Sequence, residues 1–228
     1  MRSIHDNLQA VKDRIGRAAG AAGRDPASVT LLAVSKTHAA ALVEQAAAAG
    51  QRAFGENYVQ EALEKMDALP AAQIEWHLIG PLQSNKTKLA AARFSWVHTV
   101  DSEKIARRLS GQRSGNLPPL NVLIQVNISG EASKGCVAPP ETGVLALSVS
   151  KMPRLKLRGL MAIPEPGAQV ARYRELKNLY EKLRGRFGFD TLSVGMSDDL
   201  ELAIAEGSTM VRVGTAIFGA RKTVKDAA

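Results

Sequence analysis

The sequence predicts an α/β protein: a single (β/α)8 barrel of the TIM type with an extra helix at its amino terminus. Three observations support this prediction. Short apolar runs rich in β-branched residues alternate along the chain with alanine-rich or charged segments of helical length. We count eight such runs, the number that closes a parallel barrel. The length of 228 residues suits one barrel, and a hydrophobic content of 45% supports a sizeable core.

The chain opens with a helix that starts at Ser3 and dominates residues 1–24, because apolar residues recur at positions 4, 8, 11 and 15. Strands and helices then alternate, and a final helix from Ala216 leads to a charged tail, 222–228, that we expect to be frayed. No linker or repeat is visible, so one domain is predicted over 1–228. The predicted strands are 29–35, 52–55, 74–79, 95–100, 120–127, 155–161, 190–195 and 210–213. The predicted helices between them are 39–49, 58–68, 85–92, 102–110, 140–150, 168–187 and 198–205.

Composition narrows the classes of function. The net charge is +8, but the 30 lysines and arginines are spread along the chain and aromatic residues make up only 4%, so no stacking surface for nucleic acid is predicted. The one cysteine, Cys136, excludes an intramolecular disulfide framework and fits a reducing compartment. The sequence lacks an apolar signal region and any long apolar stretch, so we expect a cytoplasmic protein that makes no membrane contact.

A lysine stands at the end of the first predicted strand. The run from Leu31 to His38 reads LLAVSKTH, which puts Lys36 at the carboxyl end of the strand, where barrels carry their ligand sites. Burying an ammonium costs several kcal/mol or drives it neutral, and a neutral lysine forms Schiff bases with carbonyl compounds. The alternative is a lysine that reaches water from the barrel rim.

Small residues follow the last two strands. Gly195 and Ser197 come directly before one helix, and Gly214 and Thr215 come directly before another. In barrels the loops after strands seven and eight commonly bind phosphate through backbone N–H groups and hydroxyl side chains. Glycine turns and hydroxyl caps without a ligand are the alternative. Because the first and eighth strands of a closed barrel are neighbours, the pattern indicates a phosphorylated aldehyde or ketone, and pyridoxal phosphate fits both ends.

Polar residues at other strand ends can be interpreted either as parts of a ligand site or as structural residues. Arg212 precedes the last strand end and would oppose protonation of a pyridine nitrogen if it faces the barrel interior; a surface arginine is the alternative. Asn57, Ser84 and Asp101 follow earlier strands, where function is expected, but each is also a candidate helix N-cap, and for Asp101 the cap is favoured.

Seven segments form a pattern that is specific and runs over nearly the whole chain, from about Ser28 to Arg221. They read AVSKTH at 33–38, FGENYVQE at 54–61, WHLIGPLQSNK at 76–86, VHTVDS at 97–102, GLMAIP at 159–164, LSVGMSDD at 192–199 and GSTMVRVGTAIFG at 207–219. In this order they closely resemble the pyridoxal phosphate homeostasis protein family. That family is similar to the barrel half of the alanine racemase type of enzyme, without its second β-domain.

The resemblance implies a pyridoxal phosphate site at the ends of the strands. Lys36 would hold the cofactor as a Schiff base, and Arg212 would face the pyridine nitrogen. The loops after strands seven and eight would hold the phosphate, and two residues from strands two and three would line the mouth or contact ring substituents. The implied site residues are Lys36, Asn57, His77, Ser197, Arg212, Gly214 and Thr215.

A further segment, EASKG, matches a family loop that is associated with cofactor release or secondary capture through Lys134. Cys136 and Val137, which follow it, depart from the smaller or plainer residues of the family at these positions. No activating neighbour of Cys136 other than Lys134 is evident, so an unreactive thiol is expected.

The resemblance implies a carrier of pyridoxal phosphate that stores, buffers or delivers the cofactor, with candidate recipients among apo-enzymes. Racemases of this type take an opposite-face base from the second domain, and the sequence ends about 15 residues after the eighth strand. Tyr173 and Tyr180 fall on the long helix outside the barrel, so we expect little or no turnover and, without the usual dimerising domain, a monomer. A slow amino-acid racemase or Schiff-base lyase, using water or His77 as base, is the enzymatic alternative. A basic barrel that binds RNA or another macromolecule is the second alternative.

Overall fold

The computed structural model describes residues 3–129 and 135–220. Eight parallel strands form a closed barrel, and each strand pairs with its neighbours in chain order. The eighth strand pairs with the first, which closes the ring. The predicted (β/α)8 barrel is therefore confirmed. The strands are β1 (Thr30–Val34), β2 (Ala53–Glu56), β3 (Glu75–Leu78), β4 (Trp96–Val100), β5 (Leu120–Gln125), β6 (Leu155–Met161), β7 (Thr191–Ser193) and β8 (Met210–Val213).

Helices surround the barrel, one after each strand, and the predicted extra helix precedes the first strand. A short 3-10 turn, Pro26–Ser28, links that helix to β1. Within the described residues, none of the helices has the length and apolar character needed to cross a membrane. The helices are α1 (Ile4–Ala21), α2 (Ala40–Ala48), α3 (Val59–Ala68), α4 (Thr87–Arg93), α5 (Glu103–Gln112), α6 (Pro139–Ser150), α7 (Val170–Phe187), α8 (Leu200–Ala205) and α9 (Thr215–Phe218).

The first helix joins the start of the barrel to its end. Ser3 begins α1 with a capping box, because its hydroxyl accepts the Asp6 N–H and the Asp6 carboxylate accepts the Ser3 N–H. The apolar residues at helical spacing, Leu8, Val11 and Ile15, are buried. This helix packs on α2 and on the last two helices, α8 and α9. It therefore lies across the seam where the ring closes.

The strands place alternate side chains inside the barrel and under the helices. Residues such as Phe54 and Trp76 belong to the large core between strands and helices. Inside the barrel, Leu32, Ala53, Ile79 and Met210 form one apolar cluster. Trp96, Leu123 and Met161 form another. The polar residues buried on these strands include His77, His98 and Arg212, which are described below with the candidate site.

Candidate functional site

The turn after β1 carries Lys36. Ser35, directly after the strand, is fully buried and donates its backbone N–H to the carbonyl oxygen of Gly55 at 3.0 Å. Lys36 is half-buried. Thr37 has φ of 65°, an uncommon conformation for a β-branched residue. The backbone on both sides of Lys36 is thus constrained.

A group of four residues that we call the Lys65 cluster packs against this turn: Ser35, Glu56, Glu61 and Lys65. Lys65 Nζ lies 2.7 Å from each of three acceptors, the Ser35 carbonyl oxygen and the Oε1 atoms of Glu56 and Glu61. Ser35 Oγ donates to Glu56 Oε1 at 2.6 Å. The backbone N–H of Thr37 donates to Glu61 Oε1. Both residues that flank the strand-end lysine are therefore held by one cluster.

The Lys65 cluster contains one cation and two carboxylates in a buried setting. Lys65 is only 5% exposed, and Glu56 is fully buried. Burial raises the pKa of Glu56, while the Lys65 ammonium acts in the opposite direction. Glu56 Oε2 has no hydrogen-bond partner among the described residues. Since an unpaired buried charge is costly, Lys65 and Glu56 depend on each other.

The turn between β7 and α8 contains Gly195 and Ser197. Gly195 has φ of 101°, and a Cβ at this position would lie 2.5 Å from the Cβ of Ala203, so only glycine fits. The backbone N–H of Met196 donates to Asp199 Oδ1 across the turn. Ser197 is half-buried at the tip. These features form the small-residue turn that the sequence predicts after strand seven.

The turn after β8 lies beside the end of β1. The two strands pair in parallel with Ala33 opposite Val213, so Gly214 continues next to the strand that leads to Lys36. Gly214 is the N-cap of α9, and Thr215, its first residue, is exposed. The final helix thus starts one residue before the predicted start.

Arg212 faces the barrel interior near the end of β8, which makes the surface interpretation wrong. It is 4% exposed. Its Nη1 donates to the carbonyl oxygen and hydroxyl of Ser193, each at 2.8 Å, and its Nη2 donates to the Ala162 carbonyl oxygen at 2.9 Å. Burial lowers the pKa of Arg212 to about 10, while Asp199 and Tyr173 act in the opposite direction. The guanidinium therefore stays positive at neutral pH.

The two predicted mouth residues occupy different depths. Asn57 is half-buried directly after β2, and its backbone touches the next strand end, since a Cβ on Gly80 would lie 2.2 Å from the Asn57 carbonyl oxygen. His77 lies on β3 with no exposed surface and stacks on Trp96 at 5.1 Å between ring centroids. Asn57 is therefore at the rim, whereas His77 is enclosed within the barrel.

His77 takes part in a hydrogen-bonded chain with Glu75 and His98 that sequence reasoning missed. Its Nε2 lies 2.9 Å from Glu75 Oε1, and its Nδ1 lies 2.9 Å from His98 Nε2. A carboxylate accepts only, so His77 Nε2 donates; its neutral Nδ1 then accepts from His98 Nε2. Burial lowers the pKa of both histidines. His98 Nδ1 is left as an acceptor with no partner among the described residues.

The interpretation of three strand-end residues, Asn57, Ser84 and Asp101, as helix N-caps is wrong. The N-caps of α3, α4 and α5 are Tyr58, Lys86 and Ser102. At α5, Ser102 Oγ accepts the Ile105 N–H, while Asp101 accepts a hydrogen bond from Ser102 Oγ at 2.9 Å. Asp101 is therefore not the N-cap, but it orients the hydroxyl of the N-cap residue that follows it, Ser102.

Tyr173 lies closer to the candidate site than its position on α7 suggests. It is buried outside the barrel, as predicted, but its hydroxyl donates to Asp199 Oδ2 in the turn after β7. Burial, followed by the bond to Asp199, raises the pKa of the Tyr173 hydroxyl. Lys134 lies outside the described residues, as does the tail 222–228, while Cys136 is half-buried.

Comparison with known proteins identifies the family. The family model described as the alanine racemase N-terminal domain matches residues 7–222. A pyridoxal phosphate homeostasis protein of Pseudomonas aeruginosa is 58% identical over 225 residues, covering 97% of each chain. The chain belongs to the pyridoxal phosphate homeostasis protein family. The Escherichia coli K12 member is 53% identical over 97% of this chain and 98% of its own length.

Solved structures agree with this family assignment. PipY of Synechococcus elongatus, determined with pyridoxal phosphate bound, is 35% identical to this chain with a TM-score of 0.83 and covers 95% of this chain and 100% of its own. An alanine racemase of Clostridium difficile has a TM-score of 0.74 at 14% identity, covering 96% of this chain and 58% of its own. At that identity the racemase shows only that this chain shares its barrel fold.

Proposed function

We propose that this protein binds pyridoxal phosphate covalently through Lys36 and serves intracellular homeostasis of the cofactor by storing, buffering or delivering it. The observation that carries the proposal is the pairing of β1 with β8, with Ala33 opposite Val213. It brings the lysine turn and the Gly214–Thr215 turn to one edge of the barrel. The names of the relatives and the cofactor bound to PipY support it.

The residues at this edge suit the chemical groups of the cofactor. The amine of Lys36 adds to the aldehyde carbon and water leaves, which forms a C=N bond without a further reactant. Backbone N–H groups and hydroxyls of Ser197, Gly214 and Thr215 receive the phosphate, and Gly195 lets the backbone come close. Asn57 at the rim provides an amide for a ring substituent.

Arg212 sets the electronic character of the proposed site. When bound, pyridoxal phosphate supplies an electron sink whose strength depends on protonation of its pyridine nitrogen. A buried guanidinium with three hydrogen bonds to Ser193 and Ala162 is a fixed cation, and a fixed cation opposes a second positive charge nearby. We therefore assign little or no turnover to the protein.

The slow racemase alternative loses one of its two candidate bases in this geometry. Both ring nitrogens of His77 are engaged, one by Glu75 and the other by His98. A histidine that is enclosed in this way supports the barrel under the site and does not reach a substrate proton. Water is the base that the alternative retains.

The test is the absorption spectrum of the purified protein with added pyridoxal phosphate, followed by borohydride reduction and peptide mass mapping. We expect a Schiff-base band and a reduced adduct on Lys36 in the wild type, and neither in Lys36→Ala. Lys88→Ala, which removes an exposed lysine on α4, is the matched control and should keep the band. A colourless wild type would overturn the proposal and favour the basic barrel that binds RNA.

Turnover and assembly need separate measurements. Exchange of the α-proton of amino acids into deuterated water above the rate of free cofactor would favour the racemase. Sedimentation of the loaded protein tests the proposed monomer. Transfer of cofactor to an apo-enzyme, followed by recovery of that enzyme's activity, tests delivery, and fractionation of cells tests the proposed cytoplasmic location.

A further inference from the structure

Three side chains of the amino-terminal segment, Asn7, Arg14 and Arg24, donate to backbone carbonyl oxygens near the end of the barrel; we call them the α1 clasp. Asn7 Nδ2 donates to Ile217 O in α9 at 2.9 Å. Arg24 Nη1 donates to Ile204 O and Ser208 O, each at 2.8 Å. The remaining contact, from Arg14, reaches the turn after β7. The clasp thus contacts the turn after β7, the segment between that turn and β8, and the helix that follows β8.

Arg14 is the member of the clasp that contacts a candidate site residue. Its Nε and Nη2 form a bidentate pair with the Glu201 carboxylate on α8, with both N–O distances 2.8 Å. The same Nη2 donates to the Ser197 carbonyl oxygen at 3.1 Å. Glu201 therefore fixes the orientation of the guanidinium, and the guanidinium fixes the peptide group that follows Ser197.

The orientation of that peptide group determines where its N–H points. In a trans peptide the carbonyl oxygen and the next N–H point in opposite directions. Because Arg14 draws the Ser197 carbonyl oxygen toward α1, the Asp198 N–H points away from α1. The Glu201 carboxylate balances the charge of Arg14, so the contribution of Arg14 is geometric more than electrostatic.

We infer that Arg14 is a positioning residue that selects phosphorylated over unphosphorylated ligands by holding the turn after β7 in its anion-binding form. The inference rests on the proposed function. It concerns the phosphate end of the site alone, whereas Lys36 acts at the aldehyde end. Loss of Arg14 should therefore weaken binding of pyridoxal phosphate and spare pyridoxal, which lacks the phosphate.

The experiment measures dissociation constants of the full-length protein for pyridoxal phosphate and for pyridoxal by absorption titration. For Arg14→Ala we expect affinity for pyridoxal phosphate to fall roughly three- to tenfold, as loss of one partly exposed charged hydrogen bond predicts, with pyridoxal changed less than about twofold. Lys12→Ala removes an exposed cation from the same helix and should leave both constants unchanged.

Arg14→Lys separates geometry from charge. It keeps the cation, but one ammonium does not reproduce the bidentate pair and the carbonyl contact together. We expect it to lose affinity for pyridoxal phosphate nearly as Arg14→Ala does, and Glu201→Ala to follow because it frees the guanidinium. An Arg14→Lys variant equal to wild type would overturn the positioning role in favour of charge alone.

Failure of the inference is distinguishable from failure of the proposed function. A wild type that binds neither ligand would overturn both. A wild type that binds pyridoxal phosphate, with an unchanged ratio of the two constants in every variant, would overturn only the role of Arg14. Thermal melting identifies variants that do not fold. If Arg14→Ala does not fold, the ratio of the two dissociation constants in Arg14→Lys and Glu201→Ala tests the role of Arg14.

Discussion

The ammonium of Lys65 lies 2.7 Å from the carbonyl oxygen of Ser35, the residue directly before Lys36. A buried lysine on α3 thus holds the backbone that presents a second lysine at the carboxyl end of β1. The same ammonium pairs with Glu56 and Glu61. The turn that carries Lys36 is therefore held by the ammonium of Lys65, which belongs to a helix outside the barrel.

Replacing Lys65 by methionine should destabilise the protein by roughly 3 kcal/mol, because it leaves Glu56 buried without its cation. The loss should be smallest below pH 4.5 and grow as pH rises. Burial raises the pKa of Glu56 above its ordinary value of 4.5, so without Lys65 folding favours the protonated carboxyl and loses stability when the pH rises through the folded pKa. Urea unfolding at several pH values measures this.

Lys88→Met is the matched control for Lys65→Met, since Lys88 is an exposed lysine on the next helix. It should change the free energy of unfolding by less than about 0.5 kcal/mol. Equal urea midpoints for the two variants would contradict a structural role for the Lys65 cluster.

Replacing Gly195 by alanine should cost roughly 2 kcal/mol or more and weaken pyridoxal phosphate binding. The cost combines an unfavourable positive φ with contact between the new Cβ and Ala203. Gly185→Ala, on α7, is the control: a Cβ there meets nothing within 4 Å, and alanine should raise helix stability by up to about 1 kcal/mol. Both effects appear in thermal and urea unfolding. An alanine that is tolerated at 195 would show that the turn relaxes.

Acid should weaken the fold through His77 and His98. Burial lowers their pKa values from the ordinary 6.5, so below that pH the unfolded chain binds more protons than the folded one. The free energy of unfolding should fall as the pH drops through 6.5, by at most about 1.4 kcal/mol per pH unit for each histidine.

His98→Gln should reduce this pH slope by about one proton, because glutamine keeps a polar group toward His77 but does not titrate. Unfolding free energies between pH 5 and 7.5 give the slope. His5→Gln, on an exposed residue of α1, should leave the slope unchanged. If His98→Gln kept the full wild-type slope, the source of the acid sensitivity would lie elsewhere.

The fold is predictable from sequence because its determinants are local. Each apolar run predicts its strand within a few residues: the predicted 29–35 is Thr30–Val34, and 210–213 is Met210–Val213. The ends are harder to predict. The run 190–195 keeps only Thr191–Ser193 as strand, because the backbone turns at Gly195. Caps such as Ser102 depend on loop conformations that residue type alone does not determine.

The arrangement of the candidate site is predictable only where the order of the strands along the chain determines which residues lie close together. Strand ends of a barrel share one edge, so Lys36 and Gly214 were within reach of sequence reasoning. The role of Lys65 could not be predicted, because a lysine on a charged helix is normally exposed. Only the structure shows that it is buried beside Glu56. The same holds for Arg14 and Glu201, which are 187 residues apart in sequence. The His77–His98 contact depends on the relative register of β3 and β4.

The contacts of α1 also affect the order in which the elements of the protein can pack together during synthesis. This helix leaves the ribosome before any strand of the barrel, whereas its packing partners α8 and α9 leave only after seven and eight strands, respectively, have been made. Until then its apolar face, which includes Leu8 and Val11, can contact α2 but lacks the surface that α8 and α9 later provide. Contacts between such distant parts of a chain form late and slow folding. A nascent chain therefore has its first helix among the last elements to be docked.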